Sequence, residues 1–400
     1  MPLTERSVSG RATGVIGGVA LIVVLTLAGS PATAAPGDEH LDGLEYVALG
    51  DSYASGFGLG SPVVGAPHDD CEQSTLNYPR LVAAEFNLSL TDASCSGAII
   101  ANIATTPQVI VGPPSTPLPL QNSYLSATTD IVTLSIAGND LGYVPVMTAC
   151  AALSASGPVV GTSLPLLTSL DCKALFAPGG IDTLSAMVAG VIEPELTTAL
   201  ANIAAAAPNA EIFLVGYPAL TPDVGSVPLG AEGCFRSAVN LGLPLTFNAN
   251  AYPYTLVDVP YLHEVEVALD SMFASVATAA GAVYVPMLTQ TSAHSPCAAS
   301  AEQWVNGLTV TSLDLGTGAV ELEPGALHPN AAGVAFMTAQ VQDAIRAAIP
   351  APADPEPNPG GTPGLAATGA DTGQLGLVGV LALLAGALAL GWRRSLAHAR

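Results

Sequence analysis

Short apolar runs that alternate with long helical patterns constrain the fold of this chain more than any other feature. Residues 44–49 (LEYVAL) run apolar into a glycine turn, and residues 131–136 (IVTLSI), 211–215 (EIFLV) and 282–286 (AVYVP) have the same character. A further short strand is expected at 88–92. Runs of this length, bounded by turn residues, read as buried strands. Between them, helical spacing of apolar residues covers about 74–86, 184–206, 256–280 and 331–349. Strands separated by helices imply an α/β fold with a mainly parallel sheet of about five strands, covered on both faces. The Pro- and Gly-rich stretches 105–120 and 155–180 read as long surface loops, where function often resides.

The two ends lie outside this pattern. Arg6 and Arg11 precede an apolar run at 15–28, and Ala32 and Ala34 then supply the small side chains of a cleavage site after Ala34. Residues 1–34 therefore read as a secretory signal peptide, with an uncleaved N-terminal anchor as the alternative. The folded domain is expected at 35–349. Residues 350–364 (PAPADPEPNPGGTPG) form a semi-rigid spacer. After it come Leu365-Ala366-Ala367-Thr368-Gly369, an apolar span at 375–392, and Arg393, Arg394 and Arg400. Residues 365–400, with motif, span and basic stop in this order, resemble a sortase cell-wall sorting signal of high-GC Gram-positive bacteria. That resemblance implies cleavage between Thr368 and Gly369, with sortase and peptidoglycan as partners. A plain C-terminal transmembrane helix is the alternative, and both place the domain outside the cell.

Six cysteines suit that compartment: Cys71, Cys95, Cys150, Cys172, Cys234 and Cys297. Six allow 15 pairings; their three successive couples suggest 71–95, 150–172 and 234–297. None has C-x-x-C spacing, so no structural zinc site is expected.

The formal net charge is −23, from 32 acidic and 9 basic residues. Five of the basic residues, but only Glu5 and Asp371 among the acidic ones, lie in the two segments expected to be removed. Residues 35–368 thus keep 4 basic and 30 acidic side chains, a charge of −26. Such a chain cannot neutralise phosphates, which excludes nucleic acid, and it disfavours anionic substrates and anionic membrane surfaces.

The chemistry-bearing residues cluster at expected strand ends. In an open parallel sheet, ligands collect beyond the carboxyl ends of the strands. The first strand runs into Gly50-Asp51-Ser52, which presents a hydroxyl at a sharp turn. The strand at 131–136 runs into Gly138-Asn139-Asp140, whose Asn amide can donate to a developing oxyanion. Cys95-Ser96-Gly97-Ala98 follows the strand at 88–92, and Gly97 would bring a backbone N–H close to substrate where a side chain would obstruct. Leu327-His328-Pro329-Asn330 precedes the last helix.

These four blocks, in this order, resemble the SGNH (GDSL-type) hydrolase family, and the resemblance covers about residues 44–349. Tyr46-Val47-Ala48-Leu49, Cys95-Ser96-Gly97-Ala98, Val215-Gly216-Tyr217-Pro218, His294 through Cys297 and Trp304-Val305-Asn306-Gly307 are similar to its secreted actinobacterial branch. The resemblance implies a three-layer α/β/α sandwich of the flavodoxin-like kind. It implies Ser52 as nucleophile and His328 as general base. The implied oxyanion hole comprises the Ser52 and Gly97 backbone N–H groups with the Asn139 side chain. The family usually sets an Asp three residues before the His; here that position is Gly325. The expectation is a Ser-His dyad oriented by the Gly325 backbone carbonyl, with Glu323 as the alternative orienter.

The expected activity is carboxylic-ester hydrolysis of lipase or esterase type, through an acyl-enzyme and without a cofactor or metal. Apolar residues at 101–129 and 143–170 would line an acyl pocket, favouring small-molecule or lipid esters. A carbohydrate acetyl esterase is the alternative, and a non-catalytic adhesin a more distant one. A monomer is expected. His68-Asp69-Asp70, His263, His294 and Trp304 read as structural or surface residues rather than as parts of a site.

Overall fold

A computed structural model describes residues 38–65, 69–110, 116–161, 171–225, 233–314 and 319–352. The expected signal peptide, His68, nearly all of the spacer, and Thr368 and Gly369 lie outside the described residues. Five strands form the main sheet: β1 (Glu45–Gly50), β2 (Ser89–Asp92), β3 (Ile131–Ser135), β4 (Glu211–Val215) and β5 (Val283–Val285). They lie in the order β2-β1-β3-β4-β5, and every pairing is parallel. Tyr46 pairs with Ile131 and Gly50 with Ser135, so β1 and β3 end level with one another.

Four longer helices cover the sheet: α1 (Tyr78–Phe86), α2 (Glu193–Ala206), α3 (Asp258–Ala280) and α4 (Ala331–Ala348). Side chains alternate between faces along a strand, and that alternation decides the layers. Val47, Leu49, Val132, Leu134 and Leu214 bury against Leu196 and Ile203 of α2 and Leu269 and Phe273 of α3. Tyr46, Ala48, Phe213 and Val285 bury on the opposite face, against Val82 and Phe86 of α1 and Met337 and Val341 of α4. The result is an α/β/α sandwich, as expected from the sequence. The apolar runs look continuous because the central strands are covered on both sides.

Cys71 is joined to Cys95, Cys150 to Cys172 and Cys234 to Cys297. The first of these anchors the segment after β2: Cys95 N–H donates to the Gly50 carbonyl at 3.0 Å and Ser96 N–H to the Cys71 carbonyl at 3.0 Å. Part of the 101–129 region, residues 111–115, lies outside the described residues. Of the rest, Ile110 and Leu118 pack around the Cys71–Cys95 pair, and Gln121 pairs with Gly50.

Candidate active site

The end of β1 carries the first component. Gly50 sits at φ +145°, and a Cβ there would lie 2.4 Å from the Ser135 carbonyl oxygen of β3. Only glycine lets the chain leave the sheet this close to its neighbour. Gln121, buried, accepts from Gly50 N–H (2.7 Å) and donates to Gly50 C=O (2.9 Å), so both backbone groups are satisfied at the sheet end. Asp51 then caps the short helix Ser52–Ser55, its Oδ1 accepting from Tyr53 N–H at 2.9 Å. The turn leaves Ser52 half-buried at the helix start.

His328 reaches Ser52 from the far end of the domain. Its Nε2 lies 2.7 Å from Ser52 Oγ, and its Nδ1 lies 2.8 Å from the Ala326 carbonyl oxygen. A carbonyl can only accept, so Nδ1 carries the proton and Nε2 presents its lone pair to the serine hydroxyl. This corrects the expected orienter. A backbone carbonyl does hold the ring, but it belongs to Ala326 rather than Gly325. Leu327 adopts φ +60°, and the resulting tight turn directs the Gly325 carbonyl to His328 N–H (3.1 Å) and Asn306 Nδ2 (3.0 Å). Glu323 is exposed and its carboxylate makes no bond to the ring, which removes it as the alternative. Family spacing locates a side chain, whereas a carbonyl's direction follows the local φ and ψ.

The histidine segment is held from several sides. Tyr53 Oη donates to the Leu327 carbonyl at 2.6 Å, and Asn306 N–H donates to the His328 carbonyl at 3.0 Å. Phe57 meets the imidazole edge-on. Asn330 caps α4 through Ala332 and Gly333 N–H, which fixes where the segment enters the helix. His328 is buried, and burial pushes its imidazole below the usual 6.5, against the raising effect of the Ala326 hydrogen bond.

Gly138-Asn139-Asp140 and Cys95-Ser96-Gly97-Ala98 are tied to each other. Asn139 Nδ2 donates to the Ala98 carbonyl at 2.9 Å, and the Asp140 carboxylate accepts from Ile100 N–H at 3.1–3.2 Å. Asn139 lines one small cavity with Ser52 and His328. Its amide has two N–H groups, so one remains for a ligand there. Gly97 takes φ +76°, and a Cβ would meet nothing closer than 3.7 Å. Within the protein, glycine is required here by backbone conformation, since the φ is one that L side chains rarely adopt. Among the described residues, neither Ser52 N–H nor Gly97 N–H takes a hydrogen-bond partner.

Two tyrosines join the blocks without a signal that sequence reasoning would pick out. Tyr217 Oη donates to Asp51 Oδ2 at 2.5 Å and accepts from Gly138 N–H at 2.9 Å, linking the ends of β1 and β3. Tyr53 crosses it edge-on. Burial lifts the Asp51 carboxyl to about 7, against the lowering effects of its bonds from Tyr217 and Tyr53. Tyr217 stood out in the sequence only as part of Val215-Gly216-Tyr217-Pro218; a tyrosine after a strand is an ordinary core residue unless its hydroxyl partner is known.

His294, Trp304 and His263 have structural partners. His294 stacks on Trp304 and bonds the Glu302 carbonyl, and Trp304 stacks in turn on Phe336. His263 pairs with Glu266. No cluster of potential metal ligands occurs among the described residues.

The family model for the GDSL-like lipase/acylhydrolase family matches residues 48–336. Lipase 2 of Streptomyces coelicolor is 30% identical over 342 residues, covering 85% of this chain and 97% of that protein. An esterase of Streptomyces scabiei is 29% identical over 347 residues, covering 82% of this chain and 92% of its own length. Among solved structures, phospholipase A1 from Streptomyces albidoflavus aligns with a TM-score of 0.49 at 24% identity, over 76% of this chain and 99% of that one. With a family model that spans most of the domain, the chain belongs to the GDSL-like lipase/acylhydrolase family and is a serine ester hydrolase.

Proposed function

We propose that the protein is a secreted, wall-anchored lipase or esterase in which Ser52 is the acylated nucleophile and His328 its general base. The observation that carries the reading is the 2.7 Å contact between Ser52 Oγ and His328 Nε2, with the proton on Nδ1 held by the Ala326 carbonyl. Ser52 Oγ attacks the ester carbonyl carbon while its proton passes to Nε2. The tetrahedral oxyanion takes hydrogen bonds from Ser52 N–H, Gly97 N–H and the second Asn139 amide N–H. Collapse breaks the bond to the leaving oxygen, which receives the proton from Nε2. Water then attacks the acyl carbonyl as its proton passes to Nε2; the bond to Ser52 Oγ breaks, Oγ takes that proton back, and the carboxylic acid departs. A carbonyl stabilises the imidazolium less than a carboxylate would, so more of the burden falls on the oxyanion donors.

Secretion and anchoring rest on the sequences of the two ends: residues 1–34 as signal peptide, 35–349 as catalytic domain, 350–364 as spacer and 365–400 as sorting signal. The charge of the predicted mature chain favours neutral esters over anionic ones. Hydrolysis of p-nitrophenyl esters from acetate to palmitate, beside Ser52→Ala, tests the function. The variant should lose at least about 10³ in kcat; equal and negligible rates for both proteins would refute it. Wall digests should release protein ending at Thr368, and recovery of the intact tail in membranes would refute the anchor.

A further inference from the structure

The helix Tyr143–Cys150 serves two cavities. Val144 lines the small one that holds Ser52, Asn139 and His328. Thr148, which donates to the Val144 carbonyl at 2.7 Å, lines a much larger one. Four helical residues rise about 6 Å, so the walls of the two cavities begin one turn apart. The larger cavity encloses about 420 Å³, against about 20 Å³ beside Ser52, and that size suits a small-molecule chain.

Three separate segments build it. Ala152 and Val160 come from the stretch after the helix, Val239 and Leu245 from a hairpin, and Leu308 and Val320 from the stretch leading to the histidine segment. Among the described residues, Thr148 is the only polar one in the lining. At the hairpin turn Leu241 is 71% exposed and Leu243 fully exposed, an arrangement that marks a surface meant to be covered. Not one charged side chain occurs between Arg236 and Asp258, in a chain with 32 acidic residues. A protein partner would be met by a polar rim as well as an apolar centre; this lining offers almost nothing to a polar ligand.

We infer, building on the function proposed above, that this cavity is an acyl-chain site: it takes the linear aliphatic chain of an ester whose carbonyl sits at Ser52, and it sets the chain-length preference. Each methylene buried there stabilises the bound chain by about 0.8 kcal/mol, or about fourfold in kcat/KM. The test compares p-nitrophenyl acetate, butyrate, hexanoate and octanoate, all kept below the concentration at which they aggregate. Wild type should gain about fourfold per methylene up to the filled length. Val239→Trp fills the cavity and Leu245→Gln makes its wall polar. Both sites are only partly buried, and thermal unfolding confirms that each variant folds. In both, the octanoate-to-acetate ratio of kcat/KM should fall at least tenfold. A wild type active on acetate with no gain along the series, or folded variants that keep the full ratio, would overturn the chain site and leave the proposed function standing. Titration of Ser52→Ala with a fluorophore-labelled fatty acid reads the site without turnover. Saturable binding weakened by Val239→Trp is expected, and binding unaffected by that substitution would overturn the assignment. Hydrolysis of no ester by wild type would instead remove the proposed function.

Discussion

Asp51 sits directly before the proposed nucleophile and is buried, so its ionisation is coupled to the stability of the site. Its carboxyl is lifted from 3.8 to about 7, chiefly by burial. In the unfolded chain the group ionises near 3.9. Between these values the folded protein binds a proton that the unfolded chain has released, so stability falls as pH rises. The contribution is fully present below about pH 4 and is lost once the pH passes about 7. At 1.36 kcal/mol per pH unit, the loss over that window is about 4 kcal/mol. Asp51→Asn keeps the side-chain volume and an oxygen for Tyr53 N–H, and does not titrate. The assay is urea unfolding of both proteins at pH 4.5, 6.0 and 7.5 with the disulfides intact. Relative to the variant, wild type should lose about 3–4 kcal/mol across that range. A difference that stays constant within about 0.5 kcal/mol would refute the reasoning, and would mean that the bonds from Tyr217 and Tyr53 hold the carboxylate ionised despite its burial.

Three further outcomes follow from the same geometry. Because burial lowers the His328 pKa, the acid limb of kcat/KM should have its midpoint below 6.5; a midpoint above 7 would contradict a ring oriented by a carbonyl alone. Glu323→Gln should keep kcat within about threefold, and a loss of several orders of magnitude in stopped-flow turnover would make that carboxylate the orienter. Gly58 packs against the histidine segment, where an added Cβ would lie 2.1 Å from Gly325 Cα. Gly58→Ala should therefore displace His328 and lower kcat at least about tenfold, with a smaller change in KM; a kcat within twofold of wild type would show that this contact does not register the ring.

Much of the site was legible because it sits at strand ends. β1 and β3 announce themselves as apolar runs, and Ser52 and Asn139 follow within a few residues of each. His328 could be placed because Pro329 and Asn330 open a helix that ends the domain. The roles that depend on a neighbour were not legible. Tyr217, Tyr53 and Gln121 act through hydroxyls and an amide whose partners, Asp51, Leu327 and Gly50, lie about 70 to 270 residues away. No local pattern records such a pairing. The large apolar cavity is not readable from any one stretch, because its walls join Thr148 and Val160 to Val239 and Leu245 and to Leu308 and Val320.

The layered architecture was already written in the residues, through apolar runs that must be covered on two faces, as were the side-chain types at the candidate site. It also carried the charge of the chain, since the basic residues concentrate in the two ends expected to be removed. Which carbonyl holds His328 could be known only from the folded chain. That choice turns on Leu327 in a left-handed conformation, which aims the Ala326 carbonyl at the ring and commits Gly325 to the backbone N–H of His328. Composition and spacing specify what a residue can donate or accept, whereas the direction of a backbone group is set by torsions that the whole packed segment fixes.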